Sequence, residues 1–239
     1  MAPRCPANVS KRSIFNAFMY YHYKIGNFTG NSIDMPEISS RLSKLCPDTH
    51  IKVWQISESA EFFAQFPSNW SMPAIRAEIQ SIKYLESIAA RFCLWELMQE
   101  LHVVELKLEQ DERGRPFIQD SDWQVSISHS FPFAVACLSK KPRTGIDLEK
   151  KGRNIQKIAP RFLNNNELAE WQEDEIKLTL AWSAKESIYK AWQKPGLSLQ
   201  KEIQIDIKQD QMTGKVHQQD SFPIYHEIFN DFVVTLVNH

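Results

Sequence analysis

From about Ala74 to Leu101, apolar residues return at spacings of three and four, among them Ile75, Ile79, Ile82, Leu85, Ile88, Ala89, Phe92 and Leu97. That is the period of a helix with a buried stripe, and such a stripe needs a second surface to cover it. The chain supplies strands for the purpose. Ile51–Ile56, Ile203–Ile207 and Phe232–Val237 alternate with period two, and Trp123–Ser128 and Phe133–Ser139 also read as strands, with Lys140–Arg143 as the hairpin into a further strand over Thr144–Glu149. Lys177–Gln193 reads as a second strong helix. Shorter helices are expected over Glu58–Phe66, Ile155–Phe162 and Asn166–Glu173, the last capped from Asn164–Asn166. Trp70–Pro73 reads as a loop, Asp111–Pro116 as a turn, and Val103–Leu108 as a strand or the end of the long helix. Each half is therefore expected to pack one long helix on a small, mostly antiparallel sheet, an α+β fold, with no repeat visible at the residue level.

Apolar residues make up 43% of the 239, enough for a core in one large domain or two small lobes. The formal net charge is −1, so the whole-chain field points to neither nucleic acid nor an anionic membrane, and any phosphate site must come from local clustering. Only 7 glycines are present, and neither GxGxxG nor GxxxxGK[ST] occurs, which excludes the glycine-rich phosphate loops. The four cysteines, Cys5, Cys46, Cys93 and Cys137, are too scattered for a zinc site or a disulfide scaffold, so a reducing cytoplasm is expected. No apolar run is long enough for a membrane span. The first 33 residues carry Arg4, Lys11, Arg12 and Lys24 without an acid, as targeting leaders do; the plainer expectation is an extension over 1–34 ahead of a start at Met35.

Three segments carry chemistry. In Gly145-Ile146-Asp147-Leu148-Glu149, a strand points Asp147 and Glu149 to one face, where two carboxylates repel and raise each other's pKa unless a cation intervenes. In Trp182–Lys190, WSAKESIYK, a helix stacks Trp182, Glu186 and Lys190 at i, i+4 and i+8. Glu186 could be a third oxygen ligand of the kind Mg²⁺ prefers, and Lys190 a phosphate clamp. In Val125–Ser130, VSISHS, hydroxyls flank an imidazole, a donor set that suits a phosphate monoester. Singly, each has a bland alternative: a solvated acid pair, an ordinary Glu–Lys pair beside a core tryptophan, a capped strand end.

In this order, SISHS, GIDLEK and WSAKESIYK, preceded by the turn Gly114–Phe117 (GRPF) and by a helix carrying Ala89-Ala90-Arg91, resemble the signature set of the larger, monomeric 4′-phosphopantetheinyl transferases, the type that activates surfactin synthetase. The resemblance spans about residues 50–207. It implies a pseudo-dimer of two similar lobes, 35–118 and 119–239, with coenzyme A in the cleft between them. It implies Asp147, Glu149 and Glu186 as ligands of Mg²⁺ or Mn²⁺, Lys190 on the pyrophosphate, Ser128 and His129 with Lys83 at the 3′-phosphate, and Arg115 and Pro116 at the adenine. The implied reaction moves phosphopantetheine to a serine of an apo acyl or peptidyl carrier protein and releases 3′,5′-ADP, with Glu186 taking the serine proton directly or through water. The family's arginine-rich segment before the helix is represented here only by Ile82-Lys83-Tyr84. A metal-dependent pyrophosphate hydrolase and a non-catalytic binding module of the same fold are the alternatives. Carriers of the family are acidic, so the basic clusters Lys140-Lys141-Arg143 and Lys150-Lys151-Arg153 are candidate steering groups.

Overall fold

Helix α1 (Met35–Leu45) leads into β1 (Thr49–Gln55) and the short α2 (Ala60–Phe63), then α3 (Ile82–Glu100). The chain is described by a computed structural model over residues 35–46, 48–63, 70, 82–103, 107–152, 154–208 and 211–239, without the side chains of 35–37 and 45. The extension over 1–34, Cys5, the early turns of the long helix over 74–81, the end of the 58–66 helix, the 71–73 loop, 104–106 and Arg153 therefore lie outside the described residues.

The expected α+β class holds: helices pack on antiparallel sheets. After the ribbon of β2 (Leu108–Gln110) and β3 (Pro116–Ile118) come β4 (Gln124–Ser130) and β5 (Phe133–Ser139), which join β1 in a sheet of order β1-β5-β4. This sheet draws β1 from before residue 119 and two strands from after it. Its covering helix is α3, where Phe92 meets Trp54 at 5.2 Å, Phe62 at 5.3 Å and Phe63 at 5.4 Å between ring centroids. Edge-to-face and tilted aromatic packing of this kind adds about 0.5–1.5 kcal/mol per pair to plain burial.

The second sheet begins with β6 (Thr144–Lys150) and, beyond α4 (Ile155–Phe162), α5 (Asn165–Trp171) and α6 (Glu175–Trp192), collects β7 (Ile203–Lys208), β8 (Gln211–Val216), β9 (Asp220–Phe229) and β10 (Phe232–Asn238) in the order β6-β10-β9-β8-β7. Asn164 caps α5 with a full capping box, its side chain taking the amides of Asn166 and Glu167 while the Glu167 carboxylate takes the Asn164 amide. Leu178, Ala181, Ala184 and Ile188 of α6 sink into a core with Phe162, Ile203, Phe222, Val233 and Val237.

The expected hairpin between β5 and Thr144–Glu149 is not formed. β5 is a central strand with both edges taken, by β1 and β4, and has no edge left to offer. Lys140–Arg143 is instead a crossover into the other sheet, where β6 pairs with β10 and the ladder is extended by Arg143 and His239, which exchange backbone bonds of 3.1 and 2.9 Å.

The sheets meet edge to edge at β4 and β6, joined by side chains. Ser126 Oγ accepts the Ile146 amide at 3.0 Å. Ser139 and Thr144 donate to one oxygen of Asn238, at 2.7 and 2.9 Å. Phe133 packs against Phe229 and Phe232.

Candidate functional site

The seam between β4 and β6 places the chemistry. On β6, residues 145, 147 and 149 share a face, and α6 lies across it at very close range. A Cβ added to Gly145 would stand 2.1 Å from the carbonyl oxygen of Ser187 and 2.8 Å from the amide nitrogen of Ala191, so only glycine lets the helix backbone settle there. On the neighbouring strand, Thr235 anchors the same helix through Ser183 at 2.9 Å and Ser187 at 2.8 Å, and its carbonyl takes a further bond from Ser187 at 2.9 Å.

Helix and strand run so that Trp182 sits over Glu149 and Lys190 over Asp147. The Trp182 indole donates to Glu149 Oε1 at 2.9 Å. Lys190 Nζ donates to Asp147 Oδ1 at 2.7 Å and to the carbonyl oxygen of Ile146 at 3.0 Å, and it reaches that of Ile127 at 3.4 Å. Ser128, across the seam, donates to the same Asp147 oxygen at 2.9 Å. The other oxygen, Asp147 Oδ2, is buried and takes no hydrogen bond. Glu186 stands between Trp182 and Lys190 on the helix. Burial first, and the charge of Asp147 second, push its carboxyl above the ordinary range, while Lys190 pulls it back. Asp147, Glu186, Lys190 and Ser128 are thus brought together.

Among the described residues no three His, Cys, Asp or Glu side chains form a ready metal cage. Two features nonetheless suit a hard divalent cation. One buried carboxylate oxygen is left without a partner, a state proteins rarely tolerate. The carboxylate beside it is destabilised by like charge, which a cation between the two would reverse.

His129 alternates with Ser128 and points to the α3 side of its sheet. Its Nδ1 is 3.6 Å from the buried carboxylate of Glu86, which accepts the Phe131 amide at 2.5 Å. Burial pulls the imidazole below its ordinary value; Glu86 opposes this, while Lys190 and Arg91 reinforce it. Lys83 is exposed on the first turn of α3, one turn before Glu86. Glu86 escaped the sequence reading, although a glutamate at a helical spacing from Ile82 and Ala89, on the apolar stripe, was a signal; Arg91 entered it only as part of the helix motif.

On the other side of Ile127 opens a cleft of about 280 Å³, lined by Arg113, Arg115, Pro116, Tyr189, Lys190 and Lys194 among others. Asp111 accepts the amides of Arg113 and Arg115 at 2.9 Å each and shapes this turn. Gly114 closes it at φ 78°, where other residues are strained. Arg115, half-buried, has its guanidinium pulled below its ordinary value by burial, with Asp111 opposing. A cleft with four cations is built for a polyanion. Arg115 and Pro116 thus share one cleft with Lys190, whereas His129 and Lys83 are not among the residues that line it.

Residues 143–237 match the family model of the 4′-phosphopantetheinyl transferase superfamily. The matched segment contains Asp147, Glu149, Glu186 and Lys190, whereas Arg115, Ser128, His129 and the β4 side of the seam precede it. A comparison with curated proteins gave no match.

The described members of the basic clusters have local partners. Lys140 pairs with Asp122 and lies over the Trp123 ring, Lys141 is 3.2 Å from Asp48, and Arg143 is 3.1 Å from Asp220. Lys151 is 3.4 Å from Asp231, and Lys150 lies over Phe232. No described helix is long and apolar enough to cross a membrane.

Proposed function

We propose that this chain transfers the 4′-phosphopantetheine arm of coenzyme A to a serine of an apo carrier protein and releases 3′,5′-ADP, as a transferase of the larger, monomeric type. The reading rests on one observation above others: within the superfamily domain, a buried aspartate with an unpartnered oxygen faces a destabilised glutamate and a lysine, beside a cationic cleft. Asp147 and Glu186, with Glu149 above them, would hold Mg²⁺ or Mn²⁺. Such an ion supplies charge neutralisation on the pyrophosphate and holds the scissile bond in line.

The protein's own groups do the rest. Arg115 and Pro116 seat the nucleotide base in the cleft. His129 and Lys83 would meet the 3′-phosphate from the α3 side, while Ser128, on the opposite face of β4, holds the Asp147 carboxylate instead; an arriving dianion would offset the desolvation that now disfavours the imidazolium. Lys190 is partly buried and aimed by the Ile146 carbonyl, and offers its ammonium to the pyrophosphate as a point charge. The carrier serine oxygen forms a bond to the β-phosphorus while the bond to the 3′,5′-ADP oxygen breaks. The serine proton passes to a carboxylate oxygen of Glu186, directly or through a water. The two sheets with their covering helices would be the two lobes of the pseudo-dimer, with the β4–β6 seam as the cleft between them.

Incubation with coenzyme A, Mg²⁺ and a panel of apo carriers, read by intact mass, tests the reading. A carrier that gains the phosphopantetheine mass together with 3′,5′-ADP, only when both metal and carrier are present, is the expected result. Cleavage of coenzyme A without a carrier would make the protein a hydrolase. Coenzyme A binding with no product would make it a binding module.

A further inference from the structure

Lys185 is fully buried, yet it precedes Glu186 in a segment that reads as a surface helix. Its Nζ lies 2.7 Å from Glu167 Oε2, 2.8 Å from the carbonyl oxygens of Phe162 and Ile203, and 3.0 Å from that of Leu199. An ammonium has three protons, and here they meet oxygens from the end of α4, from α5, from the loop after α6 and from the start of β7. Glu167 is as fully used: Oε1 accepts the Ile205 amide at 2.8 Å and Oε2 also accepts the Asn164 amide at 2.9 Å. Burial works against the lysine charge, and Glu167 works for it.

Buried ion pairs of this kind are a poor source of stability; replacing both partners by apolar side chains is often neutral or favourable. What the pair does supply is direction. α6 is held on one face by Gly145, Ser183 and Ser187 against β6 and β10, and through Lys185 against α5 and β7. A slip of one residue would turn the helix by about 100° and move it by about 1.5 Å, carrying Glu186 and Lys190 off Asp147.

We infer that the Lys185–Glu167 pair is a positioning clamp that sets the rotation and height of α6, and through it the placement of Glu186 and Lys190 over Asp147. This rests on the transferase reading for its consequence, but its test has a separate readout. The variants are the double change Lys185→Met with Glu167→Leu, which leaves no lone buried charge, and the single change Glu167→Gln, whose amide offers one acceptor where two are needed.

In the double variant the thermal midpoint should fall only modestly, by the loss of the acceptor for the Ile205 and Asn164 amides, and the protein should stay folded. kcat should fall by about tenfold or more. Mg²⁺ binding, measured by calorimetry in the presence of coenzyme A, should weaken by about 10–100-fold. Unchanged kcat per folded molecule and unchanged Mg²⁺ affinity would overturn the clamp. Should the double variant fail to fold, Glu167→Gln decides by the same two readouts. A wild type that binds Mg²⁺ but transfers nothing would sink the transferase reading, and the Mg²⁺ affinities of the variants would still judge the clamp. A wild type that binds no Mg²⁺ would end both.

Discussion

The two long helices are seated with different emphasis, although α3 also accepts the Phe131 amide through Glu86 and α6 also buries Leu178 and Ile188. α3 rests on its three-stranded sheet through aromatic rings, with Phe92 wedged among Trp54, Phe62 and Phe63. α6 rests on the five-stranded sheet through a glycine contact, a cluster of three hydroxyl side chains and a buried ion pair. Ring packing is adhesive but tolerant of small shifts, because dispersion and burial vary gently with angle. Hydrogen bonds fail within a few tenths of an ångström. The helix seated by the directional means is the one that carries Glu186 and Lys190, so the more sharply aimed placement lies over Asp147.

The sharpest way to break this contrast is at the shared centre. Asp147→Asn keeps the shape and leaves Ser128 an acceptor, but removes the charge facing Lys190 and Glu186. Transfer should drop by about 10²–10³-fold, the usual cost of losing one preorganised electrostatic group, while circular dichroism stays that of the folded protein. Wild-type turnover in this variant would remove Asp147 from the site.

A paired test then compares the two seats. Gly145→Ala forces α6 off β6 and should cost about 1–3 kcal/mol by overpacking, with a loss of specific activity beyond that expected from stability alone. Phe92→Leu, in the aromatic seat, should cost stability on a similar scale, about 0.5–3 kcal/mol, and leave the activity per folded molecule intact. Denaturant titration with turnover measured on the same samples reads both. Equal activity per folded molecule in the two variants would erase the distinction drawn here.

The smallest effect appears in alkaline pH. Burial pushes the Cys93 and Cys137 thiols from 9.0 up to about 12. A raised folded value means that their contribution to stability is complete below pH 9.0 and is lost as the pH climbs toward 12, where the unfolded chain sheds protons that the folded one keeps. The thermal midpoint should therefore sag above pH 9, and neither thiol should be alkylated at pH 8 until the protein unfolds. Cys93 is on the buried face of α3 and Cys137 in the sheet it covers, so fast alkylation of either in the native state would show that the aromatic seat opens readily.

Much of this was legible in sequence because the relevant periods are clean. The later part of the long helix, β1, β5, β10 and α6 carry regular apolar spacing, and the spacing in Thr144–Glu149 placed Asp147 and Glu149 on one face. Other elements lack that regularity. β9 contains Pro223, which argues against a strand; it is accommodated because it pairs only with Thr213, beyond the last β9–β10 pair of Ile224 with Val237. β8 is mostly polar or small, and its Gly214 is packed against Ile188 of α6. The crossover at Lys140–Arg143 was misread because a short polar turn between strands looks like a hairpin unless the pairing of β5 is known. Lys185 was hidden for a related reason: Phe162, Glu167, Leu199 and Ile203 come to it from separate stretches of chain.

The pairing of β6 with β10 has a consequence for biosynthesis. Every candidate ligand of the cation lies at or before Glu186, yet the strand that holds Asp147 in register is Phe232–Asn238, with Thr235 directly opposite it. A nascent chain that has emerged only as far as β9 carries all the carboxylates and none of the ladder that aims the first of them. Pairing over so long a sequence separation is slow to form. Assembly of the β4–β6 seam is thereby a late event in synthesis, and a chain ending before residue 232 would carry all the candidate ligands without the strand that pairs with β6.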